Sequence, residues 1–327
     1  PRHSAVLADE MGLGKSMQAI STIRLLVHSG EARRVLVVCP KTLVSNWKRE
    51  LGEWAPEIVV AVIEGEPARR RWQWQLEDVP VTLANYEVLV RDEALVEELK
   101  LSYDLVVLDE AQRIKNRSSR TSEAVRGLRR RRSWALTGTP VENSASDLVG
   151  LFEFVSPGLI HDGMPPRTLG ESVADHVLRR TKDKVLKDLP PRIDRDAIIE
   201  LSPEQRETYR LAEEEGVFRL SEMGPGLTIQ HVFELVLRLK QICNFDPATQ
   251  ASSKLDRLEA ELEEVAASGR KAIVFSQWVA ALEKISARLT RFGPLQYHGG
   301  MPTPARDEAI RLFREKPEHS VLLLSYG

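Results

Sequence analysis

Two short stretches of this sequence place glycines, a lysine, a hydroxyl and carboxyl groups where they could act together on phosphate. The first is residues 9–16, Asp-Glu-Met-Gly-Leu-Gly-Lys-Ser, between an apolar run and a helical pattern. A glycine turn that leads from a strand into a helix directs backbone N–H groups and the helix dipole at an anion. Lys15 would contact the outer phosphates of a nucleotide, and the Ser16 hydroxyl would ligate Mg²⁺. The residues predicted to bind the nucleotide are Asp9, Gly12, Leu13, Gly14, Lys15 and Ser16.

The first stretch departs from the simplest phosphate-loop pattern at one position. Asp9 stands where that pattern has its first glycine. These residues alone are also compatible with a glycine turn that carries a surface lysine and a surface serine. The apolar run at 5–8 and the helical pattern that opens at Gly14 favour the phosphate loop.

The second stretch is residues 103–112, an apolar strand that ends in Asp109 and Glu110. A phosphate loop needs a partner for its metal ion. Asp109 would hold Mg²⁺ directly or through water, and Glu110 would orient the attacking water. The alternative is a pair of solvated acids that cap a helix. The phosphate loop upstream favours the catalytic interpretation.

Strands and helical patterns alternate through the first half of the chain. This alternation predicts an α/β fold with a parallel sheet, helices on both faces and ligands at the carboxyl ends of the strands. The polar clusters described above fall at those ends. The predicted strands are 5–8, 33–40, 79–86, 103–112 and 133–140, and a helix is predicted at 47–54.

Residues 157–250 have a different pattern, in which helices dominate. We predict a loop at 157–170, a basic helix at 177–189, and further helices from Ser202 to Cys243. Ser202 has the features of a helix N-cap, because proline follows it and glutamine lies three residues on. The α/β alternation then returns, with strands predicted at 271–277, 295–298 and 321–325.

Composition limits the classes of function. The 327 residues suffice for about two domains, and a net charge of −2 argues against a uniformly basic nucleic-acid binder. Cys39 and Cys243 lie in mostly apolar stretches, so we expect reduced, buried thiols. The histidines lack ligand spacing with the cysteines, so no structural zinc is expected. No apolar run is long enough to span a membrane, and both ends of the sequence look cut.

The motifs together resemble a known family. Residues 9–16, 109–112 and 136–143 are similar to motifs I, II and III of the SWI/SNF-type ATPases, a branch of helicase superfamily two. Residues 39–47 resemble motif Ia of the same family. Later blocks match in the expected order, at residues 178–182 with 189–190, 240–244, 274–277 and 297–300.

The resemblance implies two RecA-like lobes, with ATP and Mg²⁺ as cofactors and hydrolysis between the lobes. Lobe 1 would span 1–156, a helical linker or insertion 157–253, and lobe 2 254–327. Lys15, Asp109 and Glu110 take the catalytic roles argued above. Gln112, together with Thr137 and Thr139, would couple the γ-phosphate state to lobe closure and DNA grip.

The implied activity is ATP-dependent translocation along double-stranded DNA, which remodels or displaces DNA-bound protein complexes and involves no membrane. Gln112 stands where many eukaryotic members have histidine, which favours a prokaryotic protein of the cytoplasm or nucleoid (a eukaryotic member would be nuclear). Motif V is incomplete in the sequence, and motif VI, with its arginines, is absent from it. Two alternatives stay open: a strand-separating helicase of the same superfamily, and a nucleotide-binding scaffold with little turnover.

The family also implies where DNA binds. Contacts go to the phosphate backbone and not to the bases. For Trp47, core packing is an equally good explanation. The implied DNA contacts are Lys41, Thr42, Asn46, Trp47, Thr137, Thr139 and Asn143 in lobe 1, and Ser276, Gln277, His298 and Gly299 in lobe 2.

Two basic clusters are either solvated faces or flanks of the DNA path. One consists of Arg113, Lys115, Arg117 and Arg120, and the other of Arg126 with residues 129–132. We expect the first cluster to lie nearer DNA, because it follows motif II directly.

Overall fold

A computed structural model describes residues 4–138, 145–188 and 193–326. The chain divides into two compact units, Pro1–Pro191 and Arg192–Gly327, called unit 1 and unit 2 below. Among the helices of the described ranges, none is both long enough and apolar enough to cross a membrane.

Unit 1 is built on a seven-stranded sheet in which every pairing is parallel. The order of the strands is β3-β4-β2-β5-β6-β1-β7, so strands from distant parts of the sequence are neighbours. The strands are β1 Ala5–Leu7, β2 Val35–Cys39, β3 Val60–Val62, β4 Val81–Asn85, β5 Ser102–Asp109, β6 Arg129–Leu136 and β7 Val177–Leu178.

Helices cover both faces of this sheet. Alternate residues of β2 and β5 belong to two separate hydrophobic cores, with Leu36 and Val106 in one and Val37 and Val107 in the other. A sheet buried on both faces explains why these strands are continuous apolar runs. The helices are α1 Lys15–His28, α2 Val44–Trp54, α3 Pro67–Trp74, α4 Tyr86–Arg91, α5 Glu93–Glu98, α6 Arg120–Gly127, α7 Ala145–Val155, α8 Pro166–Val173 and α9 Lys182–Val185.

The predicted basic helix at 177–189 is wrong. Its first residues form β7, which pairs in parallel with β1 through Val6↔Val177 and Leu7↔Leu178. Only the short helix α9 follows, and residues 189–190 lie outside the described ranges. The pairing satisfies backbone groups along the outer edge of β1, and this tertiary demand overrides the local helical pattern.

The predicted boundaries after residues 156 and 253 do not coincide with the two units. β7 belongs to the sheet of unit 1, and the region 157–170 includes the start of α8, where a loop was expected. Residues 157–253 are therefore shared between the two units.

The strand predicted at 133–140 is β6, which begins four residues earlier, at Arg129. The prediction missed this start because the first four residues of β6 are arginines, which do not form an apolar run. Arg130 lies over the ring of Phe154, 4.2 Å from its centroid, and donates to the carbonyl oxygens of Leu128 and Phe154 at 2.8 Å. Arg132 is buried and pairs with Glu31 at 2.8 Å. The second basic cluster is thus partly buried, and its residues 129–132 form the first half of β6.

Unit 2 contains a three-stranded parallel sheet in the order β8-β10-β9. Its core joins residues of α12, α13 and β10, among them Leu255, Leu282 and Leu323. The strands are β8 Ala272–Ser276, β9 Leu295–Tyr297 and β10 Val321–Ser325, and the helices are α10 Pro203–Glu222, α11 Ile229–Asn244, α12 Ser253–Ala267, α13 Val279–Arg288 and α14 Thr303–Glu315.

The predicted N-cap at Ser202 is confirmed, and the glutamine three residues on has a second role. The Ser202 hydroxyl accepts from the backbone N–H of Gln205 at 3.2 Å. The buried side chain of Gln205 donates to the carbonyl of Ile242 at 2.8 Å and accepts from the N–H of Ser253 at 3.0 Å. One side chain therefore joins α10 to the end of α11 and the start of α12.

A buried ion pair ties α3 to the start of α5 in unit 1. Arg70 donates two hydrogen bonds of 2.8 Å to the carboxylate of Asp92, and the indole of Trp74 donates to the same carboxylate at 2.9 Å. Burial acts to raise the pKa of Asp92, but the bonds from Arg70 and Trp74 outweigh it, so its pKa is lowered.

We expect the Asp92→Ala variant to lower the free energy of unfolding by about 3–5 kcal/mol, because the Arg70 charge stays buried without its partner. The measurement is urea unfolding followed by far-UV circular dichroism, because intrinsic fluorescence would combine signals from all six tryptophans. The matched control is Glu98→Ala, which breaks the exposed pair with Arg71 and should cost less than about 1 kcal/mol. Equal effects of the two substitutions would contradict the argument.

Candidate functional site

The candidate groups of unit 1 meet at one edge of its sheet. In parallel strands the carboxyl ends lie at the same edge, and β5, β6 and β1 are direct neighbours. Asp109 ends β5, Thr137 follows β6, and the phosphate loop follows β1. The topology therefore brings together residues that lie about a hundred positions apart in sequence, as the sheet prediction required.

The stretch after β1 has the shape of a phosphate loop. Gly12 and Gly14 have φ angles of 88° and 75°, which an L-residue with a side chain rarely adopts. Gly14 is the N-cap of α1, so Lys15 and Ser16 are its first two residues. The ammonium of Lys15 donates to the carbonyl oxygen of Asp9 at 2.8 Å and lies within the loop. A bound phosphate can replace this carbonyl oxygen as the partner of the Lys15 ammonium.

Asp9 has a different role from the predicted contact with the nucleotide. Its side chain is fully buried and accepts from the guanidinium and the backbone N–H of Arg180 and from the amide of Gln18. Burial acts to raise the pKa of Asp9, but these hydrogen bonds and the Arg180 charge lower it below its usual value. The carboxylate therefore fixes the shape of the loop.

Asp109 is held from three directions at the end of β5. Its Oδ2 accepts from the indole N–H of Trp47 at 2.8 Å, and its Oδ1 accepts from the N–H of Glu110 at 3.0 Å. The hydroxyl of Tyr86 donates to its backbone carbonyl at 2.8 Å. Burial and the neighbouring Glu110 charge raise the pKa of Asp109, while Trp47 and Lys15 act in the opposite direction.

Glu110, Gln112 and Thr137 form a chain of hydrogen bonds. The Gln112 amide nitrogen donates to the Glu110 carboxylate at 2.7 Å, and the Thr137 hydroxyl donates to the Gln112 amide oxygen at 2.9 Å. The backbone of Glu110 has a φ of 50°, which turns the chain sharply after the strand. The end of β6 is thus connected to the acid that follows β5.

The donor set fits a magnesium ion. A buried carboxylate with raised pKa, close to a second acid, gains from a cation, and Asp109 would hold the ion together with the Ser16 hydroxyl. Magnesium is usually bound by one or two protein groups, with phosphate and water completing its octahedron. Within the described residues, no group of three or more acids, histidines or cysteines forms a separate metal cage.

Two of the predicted DNA contacts of lobe 1 are wrong for their side chains. Trp47 is fully buried, and its indole is committed to Asp109. Thr137 is 1% exposed and donates to Gln112. Both side chains serve the acidic pair and cannot reach a DNA backbone.

The other predicted contacts of lobe 1 have mixed positions. Lys41 and Thr42 are exposed in a 3₁₀ turn, Lys41–Leu43, directly after β2 at the same edge of the sheet. Asn46 is half-buried and donates to Glu50 at 2.9 Å. Thr139 and Asn143 lie outside the described residues.

The first basic cluster is largely balanced by acids of unit 1. Arg113 pairs with Glu87 at 2.8 Å, and Arg117 pairs with Glu153 at 3.1 Å and with Asp162. Lys115 lies 3.9 Å from a carboxylate oxygen of Asp147, and Arg120 is exposed at the start of α6. These ion pairs hold α7 against the turn after β5, so much of the positive charge has a structural partner.

The predicted contacts of unit 2 share one edge of its sheet. Ser276 ends β8 and Gln277 is exposed after it, while His298 and Gly299 follow β9. Since β10 pairs in parallel with both strands, the carboxyl ends of β8 and β9 lie at the same edge.

Sequence reasoning missed three residues that support the site. Gln18 and Arg180 hold Asp9, and Tyr86 holds the end of β5. Arg180 follows β7, and its role depends on the pairing of β7 with β1, which no local pattern indicates. Gln18 lies in the first turn of α1, so its position in the sequence could have indicated a contact with the loop.

Comparisons with known proteins extend over nearly the whole chain. Residues 1–164 and 166–248 match the family described as SNF2-related domain, and residues 253–326 match the helicase conserved C-terminal domain. An uncharacterized ATP-dependent helicase, MG018, of Mycoplasma genitalium is 30% identical over 98% of this chain and 33% of its own length. The putative ATP-dependent helicase/translocase YwqA of Bacillus subtilis is 28% identical over 98% of this chain and 38% of its own length. The chain thus spans about a third of the length of these relatives.

Two solved structures are similar in fold. The Sulfolobus solfataricus SWI2/SNF2 ATPase core in complex with dsDNA matches with a TM-score of 0.54 and 29% identity, over 99% of this chain and 74% of that one. The ATPase core domain from the same organism matches with a TM-score of 0.52 and 29% identity, over 98% and 71% of the two chains. The extent of these matches and the parallel sheets of the two units establish that this chain belongs to the SNF2-related, SWI/SNF-type ATPases of helicase superfamily two, and that its units are RecA-like lobes.

Proposed function

We propose that this chain is the motor core of an ATP-dependent double-stranded DNA translocase that remodels or displaces DNA-bound proteins. The observation that carries the proposal is the shared edge of the unit 1 sheet. The phosphate loop, the acidic pair and the exposed turn at Lys41 follow neighbouring strands of one sheet. The residues that would hydrolyse a nucleotide and the surface that would contact DNA therefore lie at the same edge of one sheet.

Nucleotide binding would begin at the phosphate loop. The N–H groups at the start of α1 and the Lys15 ammonium would contact the phosphates of ATP. Ser16 and Asp109 would hold Mg²⁺, which neutralises charge on the phosphates when bound. Asp9 would keep the loop open in this shape through its buried contact with Arg180.

Hydrolysis would then depend on the position of Glu110. Its carboxylate orients the water that attacks the γ-phosphate, and the bond to the leaving ADP oxygen breaks. The amide of Gln112 fixes one carboxylate oxygen of Glu110 and is itself fixed by Thr137. A displacement of β6 relative to β5 would therefore move the Glu110 carboxylate through the two hydrogen bonds that connect it to Thr137.

The proposed partner is the phosphate backbone of duplex DNA, bound without sequence preference. Lys41 and Thr42 of unit 1 are exposed at the active edge, and Gln277, His298 and Gly299 follow strands of unit 2. The similarity to a SWI2/SNF2 core in complex with dsDNA supports this assignment. Local contacts of this kind are compatible with a net charge of −2.

A strand-separating helicase is the second candidate, because the Mycoplasma relative is named a helicase and the Bacillus relative a helicase/translocase. A nucleotide-binding scaffold with little turnover fits less well, because Lys15, Asp109 and Glu110 are all present and mutually close in the fold.

The first prediction from this proposal concerns turnover. We expect duplex DNA to stimulate ATP hydrolysis by the protein, and Glu110→Gln to lower the stimulated rate by at least about 100-fold, since the attacking water loses its orienting acid. The measurement is steady-state phosphate release, and the control is Glu97→Gln at an exposed position of α5. Stimulation by single strands alone, together with unwinding of a free-ended duplex, would favour the helicase, and ATP binding without turnover the scaffold.

The second prediction concerns DNA. Lys41→Ala should weaken duplex binding and lower the slope of log K against log salt by about one, the result expected when one phosphate contact is lost. Lys100→Ala is the matched control, because Lys100 is exposed just before β5, at the opposite edge of the sheet. The measurement is fluorescence anisotropy over a salt series, and an unchanged slope for Lys41→Ala would exclude this contact.

The third prediction separates DNA binding from metal binding at Trp47. Trp47→Phe keeps an aromatic ring in the core but removes the N–H that Asp109 accepts. We expect a higher Mg²⁺ concentration for half-maximal binding of Mg–ADP and an unchanged affinity for duplex DNA. A loss of DNA affinity with unchanged Mg²⁺ dependence would contradict this argument and support a direct contact between Trp47 and DNA.

A further inference from the structure

We propose that Lys182 is a second phosphate-binding lysine, placed beside the phosphate loop by a segment that Arg180 fixes. This inference rests on the proposed binding of ATP at the loop. It adds a binding residue that lies far from the loop in sequence, on a segment whose backbone is bonded to the loop.

The segment after β7 continues the pairing of β7 with β1 beyond both strands. The N–H of Ala8 donates to the carbonyl of Leu178 at 2.7 Å, and the N–H of Glu10 donates to the carbonyl of Arg180 at 3.0 Å. A side-chain bond completes the ladder, since the Glu10 carboxylate accepts from the N–H of Lys182 at 2.8 Å. The first half of the phosphate loop is thus aligned with residues 178–182.

Arg180 locks this alignment. Its Nε donates to both carboxylate oxygens of Asp9, at 3.1 and 3.2 Å, and its Nη2 donates to the amide oxygen of Gln18 at 2.5 Å. The Gln18 amide nitrogen in turn donates to the carbonyl of Leu13 at 3.0 Å. Asp9 is fully buried, and its charge is compensated by the guanidinium and the backbone N–H of Arg180 and by the Gln18 amide.

The result is that the side chain of Lys182 lies against the glycine turn. Its Cε and Nζ are 3.4 and 3.6 Å from the point that a Cβ would occupy at Gly12. The side chain is half-buried, and no acid of the described residues forms an ion pair or hydrogen bond with its ammonium. A cation next to a phosphate loop, fixed at its backbone and with no ion pair at its ammonium, is suited to a ligand that brings its own negative charge.

A nucleoside triphosphate fits this position better than a monophosphate. The chain of phosphates extends past the helix N-terminus, and Lys15 can neutralise only part of its charge. Lys182 approaches the loop from the side of Gly12, whereas Lys15 rises from the start of α1. Two lysines on different segments would therefore grip the phosphates from two directions.

The experiment measures the affinity of the protein for Mg²⁺ with a non-hydrolysable ATP analogue, by isothermal titration calorimetry. We expect Lys182→Ala to weaken binding about ten-fold, as the loss of one charge-assisted hydrogen bond requires. Lys182→Arg should retain most of the affinity, because it keeps the charge. The matched control is Lys184→Ala, which removes the same charge from an exposed position two residues further along α9 and should bind as the parent does.

A Lys15→Ala variant distinguishes the two levels of the argument. If Lys15→Ala weakens binding while Lys182→Ala binds as the parent does, the role of Lys182 is overturned and the ATP site stands. If the parent protein fails to bind the analogue, or Lys15→Ala has no effect, the proposed function itself fails.

The positioning role of Arg180 is tested by a double-mutant cycle. If Arg180 acts through Lys182, the loss of affinity caused by Lys182→Ala should be much smaller in an Arg180→Ala background than in the parent. Additive losses would show that Arg180 only stabilises the fold. Thermal unfolding of each variant confirms that the comparison is made between folded proteins.

Discussion

The candidate site of unit 1 depends on the parallel pairing of β1 with β6 on one side and β7 on the other. A three-residue strand contributes little burial of its own, but its two neighbours fix the position and direction of the loop that follows. The same pairing places Thr137 and the acids after β5 beside the loop, and it brings Arg180 and Lys182 alongside the first half of the loop. Loss of this pairing would separate the candidate phosphate loop from the candidate catalytic acids.

Buried charge is the second constraint on this unit, and two of its buried acids have a specific arginine partner. Arg180 compensates the charge of Asp9, and Arg70 compensates the charge of Asp92 at the start of α5. Asp109 differs, because its two hydrogen-bond donors are an indole and a backbone N–H, both neutral. Burial and the Glu110 charge raise the pKa of Asp109 despite the opposing effects of Trp47 and Lys15, so the site gains from a ligand that brings a further cation.

Several residues that resemble a DNA surface in sequence serve the interior instead. The exposed turn at Lys41, which carries the proposed DNA contact, and the buried indole of Trp47, which supports Asp109, belong to one continuous segment. Arg130 of β6 likewise packs on the ring and the carbonyl group of Phe154, because a guanidinium can bury its stem while its donors are satisfied. Charge and aromatic content alone therefore do not locate a nucleic-acid surface in this fold.

The amino-acid pattern alone was enough to predict the α/β class, most strands of both sheets, the glycine loop and the acidic pair. These features are local: continuous apolar runs, glycines ahead of a helix, and acids directly after a strand. It also determined that the polar clusters share one edge, because parallel strands present their carboxyl ends together. Three features became visible only in the folded chain: residues 177–178 form a strand, Trp47 and Thr137 face inward, and Arg180 and Lys182 reach the loop. Each of these depends on a partner more than twenty residues away, and a local pattern carries no information about which distant group will satisfy a buried charge or an unpaired strand edge.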